Sequence, residues 1–142
     1  MLNGYENYLI IQKLAGAFQD EVSFEISKSV GGSSVLSQES TVSQTKISMT
    51  TVDAECASVL SDAIILIDVE GYEPQVLTGA LELIARVKPL IIFEYNHVSK
   101  KHFHHSAIQT IIGDDYTIYR LRRDGMLDDR LQSAWNCVAI PK

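Results

Sequence analysis

Two stretches of the chain alternate apolar and polar positions. Val22, Phe24 and Ile26 share one face of residues 22–27, and Ile47, Met49 and Thr51 share one face of residues 45–52. Period-two patterning of this kind predicts half-exposed strands. The Gly/Ser-rich residues 29–40 between them read as a loop, so the two strands are expected to pair as an antiparallel flap. Three other segments, 8–17, 63–69 and 90–95, are nearly continuous apolar runs, which predict buried strands. The run 63–69 has the composition of a strand covered on both faces. Between the last two runs, Val76, Leu77, Ala80, Leu81, Ile84 and Val87 recur at helical spacing. Pro74 suits the first turn of that helix, Arg86 and Lys88 complement its C-terminal dipole, and Pro89 stops it. Strand, helix and strand of these lengths form a βαβ unit with parallel strands.

A shorter helix is expected over 53–60, and another from Ala107, Ile108, Ile111 and Ile112 to Gly113. Residues 116–121 alternate, Arg123-Asp124-Gly125 turns, and 135–141 closes the chain as a strand. The expected architecture is a single α/β domain over residues 1–142, with a βαβ centre, an antiparallel flap and a C-terminal antiparallel strand pair.

Charge narrows the range of partners. Twelve Lys and Arg against 18 Asp and Glu give a net charge of −6. Nucleic-acid binding rests on basic side chains neutralising phosphates, so that partner is not expected. The basic run "YRLRRDG" at 119–125 reads as a solvated strand face. No apolar stretch approaches the roughly 20 residues of a membrane span, and the first ten residues lack the basic and apolar regions of a secretory signal. Cys56 and Cys137 sit in unrelated segments with no metal or redox spacing, which fits a reducing, cytoplasmic setting.

Ligands of open parallel α/β sheets bind beyond the carboxyl ends of the strands. Asp68 and Glu70 lie there after the strand 63–69, and Glu94 lies at the same end of the next. Glu73 is explained by the helix dipole. Asp68 is not, because a carboxylate at a covered strand costs desolvation energy unless something pairs with it. Asn96 and His97 add hydrogen-bonding groups to the rim, His97 as a proton carrier or substrate contact. Gly71 permits a tight strand-to-helix turn. Gly31-Gly32 precedes no helical pattern and so reads as no phosphate loop. His97, His102, His104 and His105 have no spacing that aims three of them at one point, and no metal is expected.

The block "IILIDVEGYEPQVLTGALELIARVKPLIIFEY" resembles the signature of FkbM-type methyltransferases. In that family a strand ending in Asp-Val-Glu-Gly precedes a helix carrying Val-Leu-x-Gly-Ala, and the next strand ends in Glu. "GGSSVL", "TTVD" and "WNCVAIP" resemble flanking segments. The resemblance implies a Rossmann-like class I methyltransferase sheet and methyl transfer from S-adenosylmethionine, usually to an oxygen of a small molecule or sugar. It also implies catalytic roles for Asp68, Glu70 and Glu94, cofactor contacts at Asp68 and Val69, and acceptor contacts at Asn96 and His97. Glu70 is the expected base, and Asp68 the residue that positions the donor. A complete member begins with a strand, a Gly-rich turn holding the cofactor, and a second strand ending in a ribose-binding acid. Those two βα units, roughly 60 residues, have no counterpart here. The sheet is therefore expected to be truncated on its N-terminal side, with the chain inactive alone. The first strand is expected to move beside 63–69, or a second chain, as in a homo-oligomer, to cover that edge. The competing expectation is a non-catalytic α/β binding or assembly module that keeps the scaffold. A third is a metal-dependent hydrolase built on the carboxylates and histidines.

Overall fold

The computed structural model describes residues 7–26 and 43–142. The loop expected over 29–40, with Gly31-Gly32, lies outside them. Chain order is β1 (Leu14–Ala15), β2 (Asp20–Ile26), β3 (Ser43–Thr50), α1 (Val52–Glu55), β4 (Ile64–Ile67), α2 (Glu73–Thr78), α3 (Leu81–Val87), β5 (Leu90–Glu94), α4 (Ser99–His102), α5 (His105–Ile112), β6 (Tyr116–Leu121), β7 (Leu127–Asp128) and β8 (Asn136–Pro141). This is a mixed α/β architecture with two mixed sheets.

The small sheet has the order β1-β3-β2. The expected flap is there: β2 and β3 pair antiparallel from Asp20↔Met49 to Ile26↔Ser43. The apolar run 8–17 contributes only the two-residue β1, parallel to β3 through Leu14↔Met49 and Ala15↔Thr50. Leu9 and Ile10 stay exposed, at 82% and 76%. This corrects the expectation that the first strand moves beside β4. Its backbone is already committed, because β3 pairs with it and Thr50 O accepts the Gly16 N–H at 2.9 Å.

The larger sheet has the order β4-β5-β8-β6-β7. β4 and β5 are parallel, as the βαβ pattern requires, and β8 is antiparallel to both β5 and β6. Ile67, Ile91, Phe93, Ile118, Cys137 and Ala139 on one face of this sheet join Val76, Leu77 and Ile84 of α2 and α3 and Ile108 and Ile112 of α5 in one core. The opposite face of β4 carries Ile64 and Leu66, 70% and 75% exposed. The strand expected to be covered on both faces is therefore covered on one, and among the described residues nothing pairs with its outer edge.

The single helix expected over 74–87 is two, broken at Gly79 and Ala80. The break is a docking point. Gly79 O accepts the Asp53 N–H at 2.8 Å, and the Asp53 carboxylate accepts from Glu82 N at 3.0 Å and Leu83 N at 2.8 Å, capping α3. Asp53 belongs to α1, which stops at Glu55 rather than running to residue 60. The arrangement ties the small sheet and α1 to the helix layer.

Candidate functional site

The site grows from the turn after β4. Glu70 holds φ 53° and Gly71 φ 100°, two successive left-handed residues that fold the chain back into α2. A non-glycine residue held there stores strain of order 1–3 kcal/mol, a feature that clusters at functional sites. A side chain at position 71 would also run into the His102 ring. Glu73, the first residue of α2, is fully buried, and its Oε1 accepts the Val69 N–H at 3.4 Å. Its role is thus structural, as expected, but it closes the turn from inside rather than greeting the dipole from solvent. Val69 is used by the same turn: its carbonyl accepts the Tyr72 N–H at 3.2 Å and its side chain packs on the core.

Beyond this turn Asp68, Glu70 and Glu94 each present a carboxylate oxygen, all within 4.8 Å of one another. Asp68 is exposed, whereas Glu70 and Glu94 are half-buried. Glu94 Oε2 is buried without a hydrogen-bond partner. Burial, then the Asp68 charge, push the Glu94 carboxyl above the usual carboxylate range, while the Asn96 amide pulls the other way. Three such oxygens suit a cation, either a hard divalent ion or a sulfonium. No histidine joins the cluster among the described residues.

Asn96 is buried, and its Oδ1 accepts from Val98 N at 2.6 Å and Ser99 N at 3.1 Å, which starts α4. His97, three residues after Glu94, is exposed, its ring 6.0 Å from that of Trp135. Lys100 fixes the neighbouring loop by donating to Gln132 O at 3.0 Å and Ala134 O at 2.7 Å. Both cysteines are free, and burial pushes the Cys137 thiol up to about 12, too high for a nucleophile at neutral pH. Sequence reading missed the burial of Glu73 and the nearness of Trp135 to the rim. Both depend on how distant strands and turns pack.

Burial is the main cause that pushes Glu73 upward, as it is for Glu94. Acids with raised folded values contribute stability that is fully present below the unfolded value of 4.5 and is lost as pH rises through the folded value. Glu55 and Asp128 have lowered values, so their contribution is lost only in stronger acid. His105, whose value burial lowers, works the other way as pH rises through 6.5, so the variant carries the test: as pH rises above 4.5 the urea midpoint of the parent should fall relative to that of Glu73→Gln. A difference between the two proteins that does not change with pH would refute this account.

The family model for the methyltransferase FkbM domain matches residues 3–120. The chain belongs to the FkbM methyltransferase family. A search of curated proteins and of solved structures found no match. Among the described residues no helix is long and apolar enough to cross a membrane.

Proposed function

We propose that this chain carries the acceptor side of an S-adenosylmethionine-dependent methyltransferase acting on a hydroxyl oxygen of a small molecule or sugar. The observation that carries the reading is the meeting of Asp68, Glu70 and Glu94 at the carboxyl ends of two adjacent parallel strands, in a chain of this family. S-adenosylmethionine, when bound, supplies a methyl group on a positively charged sulfur. The acid rim fits that end of the molecule by charge, and the unpartnered Glu94 oxygen leaves an acceptor free for it. For the adenosine end the described residues offer no glycine-rich cradle, and β4 ends in a bare edge where one would adjoin. In this reading the described strands are the part of a Rossmann-like methyltransferase sheet that carries the acid rim. The uncovered edge and face of β4 mark where further strands, in cis or from a second chain, would pair.

Glu70 takes the acceptor's proton as its oxygen attacks, and Asp68 holds the donor's charged end. Glu94 adds the third carboxylate of the same rim, and Asn96 and His97 border the acceptor. Most of the acceleration comes from aligning donor and acceptor.

Calorimetry on the chain should give donor binding no tighter than a Kd on the order of 1 mM. Fusing the strand–glycine-turn–helix units of a complete family member ahead of residue 1 should bring it to micromolar and release S-adenosylhomocysteine in the presence of a hydroxyl acceptor. Micromolar binding by the chain alone would overturn the claim of a missing donor site. A fusion that binds the donor and never transfers methyl would favour the non-catalytic module.

A further inference from the structure

The basic run 119–125 has the look of a solvated strand face, but the strand order brings it to the acid rim. Glu94 at the end of β5 pairs with Asn136 at the start of β8, and Asn136 pairs with Leu121 at the end of β6. β5 and β6 are both antiparallel to β8, so their carboxyl ends share one edge of the sheet. Two ladder steps separate Glu94 from Leu121, about 10 Å. At Leu121 a cavity of about 390 Å³ is lined by Arg120, Arg122, Arg123, Asp124, Ser133 and Trp135. Trp135, the one tryptophan of the chain, is 56% exposed and stands between this cavity and His97.

The guanidiniums are not fully neutralised. Arg120 donates to Ser133 Oγ at 2.7 Å and lies 3.8 Å from Asp128, which pairs more closely with Arg130 at 2.9 Å. Arg122 pairs with Asp124 at 2.7 Å. Arg123 has no ion-pair partner among the described residues. The rim thus runs from three carboxylates, past an imidazole and an indole face, to a cationic cavity, in a protein whose net charge is −6. An exposed indole flanked by arginines is a platform for a ring that carries negative charge, because the ring stacks while the guanidiniums take the anion bidentately.

We propose that this cavity binds the anionic group, phosphate or carboxylate, of the acceptor. The acceptor then carries an acidic ring, such as a sugar phosphate or a uronic acid, at one end, and that ring lies against Trp135. Its methylated hydroxyl sits at Glu70, which follows β4, the strand beyond β5, so hydroxyl and anion lie at least about 10 Å apart and the acceptor is longer than a single sugar. The hydroxyl's placement rests on the methyl-transfer reading above; the anion site does not.

Trp135 reports the binding directly. The intact chain at low salt is titrated with glucose 6-phosphate, glucuronate and neutral glucose, following tryptophan fluorescence without donor. A saturable change is expected with one or both acidic sugars and none with glucose, and the responding sugar tells phosphate from carboxylate. The joint Arg122→Ala and Arg123→Ala substitution should raise half-saturation at least about tenfold, and added salt should do the same. The joint Arg122→Lys and Arg123→Lys variant should keep part of the affinity, with urea midpoints unchanged in both variants. No saturable response to either acidic sugar, an equal response to glucose, or full affinity in the alanine variant would overturn the proposal. Because the readout needs neither donor nor turnover, its failure is distinct from failure of methyl transfer in the fusion.

Discussion

Glu70→Gln should lower methyl transfer by the donor-competent fusion by a factor on the order of 10²–10⁴, the usual contribution of a positioned general base. Glutamine keeps the size and one acceptor oxygen of the side chain, so the loss isolates proton acceptance. It leaves the turn intact, because the left-handed φ of 53° belongs to the backbone at residue 70 and not to the carboxylate. Asp68→Asn should act differently, raising the KM for the donor more than it lowers kcat, because in the proposed arrangement its charge faces the sulfonium. A second signature separates base from bystander. An acceptor whose hydroxyl is already ionised, such as an acidic phenol, needs no base and should recover most of the rate in Glu70→Gln. Glu94 provides the internal alternative: it touches the same cluster, and burial and the neighbouring Asp68 raise its carboxyl. If Glu94→Gln takes the larger loss and Glu70→Gln keeps a third of the rate, Glu94 is the base and Glu70 is structural.

Where local pattern and tertiary packing agree, the chain is legible. The alternation at 22–27 and 45–52 specifies the flap, and the helical spacing between two apolar runs specifies the parallel pair β4 and β5. The convergence of Asp68, Glu70 and Glu94 follows from that pair alone, since carboxyl ends of adjacent parallel strands must face one edge. Features that depend on distant partners are not legible. Ile64 and Leu66 look like the core of a two-sided strand because their composition says nothing of whether a layer covers them. Glu73 looks like a solvated dipole partner because its burial is decided by how tightly the turn through Gly71 folds back. The arginines after β6 look solvated because only the insertion of β8 between β5 and β6 brings them to the rim. The helix break at Gly79 is hidden for the same reason: Val76 to Val87 keep their spacing across it, and its cause lies some sixty residues earlier in the chain.

That cause makes Gly79→Ala the substitution expected to destabilise the fold most for its size, by about 3 kcal/mol. Conformation is not the reason, since Gly79 has φ −80°, which alanine adopts freely. A Cβ there would overlap the Gly16 carbonyl oxygen and lie 3.2 Å from Thr51 Cβ. Gly16 is anchored by its bond to Thr50 O, so the obstacle is backbone and cannot rotate away as a side chain would. Relief requires the small sheet to retreat from the α2–α3 junction. That retreat stretches the Asp53 N–H to Gly79 O bond and draws the Asp53 carboxylate off Glu82 N and Leu83 N. Asp53→Ala alone removes the cap and should cost about 1 kcal/mol. Together the two substitutions should cost less than their sum, because the alanine at 79 already weakens what Asp53 holds. Thermal unfolding checks both points: Tm should fall by about 10 °C for Gly79→Ala, with sub-additive loss in the double variant. A Gly79→Ala protein within about 0.5 kcal/mol of the parent would mean that the small sheet is not seated on the helix break.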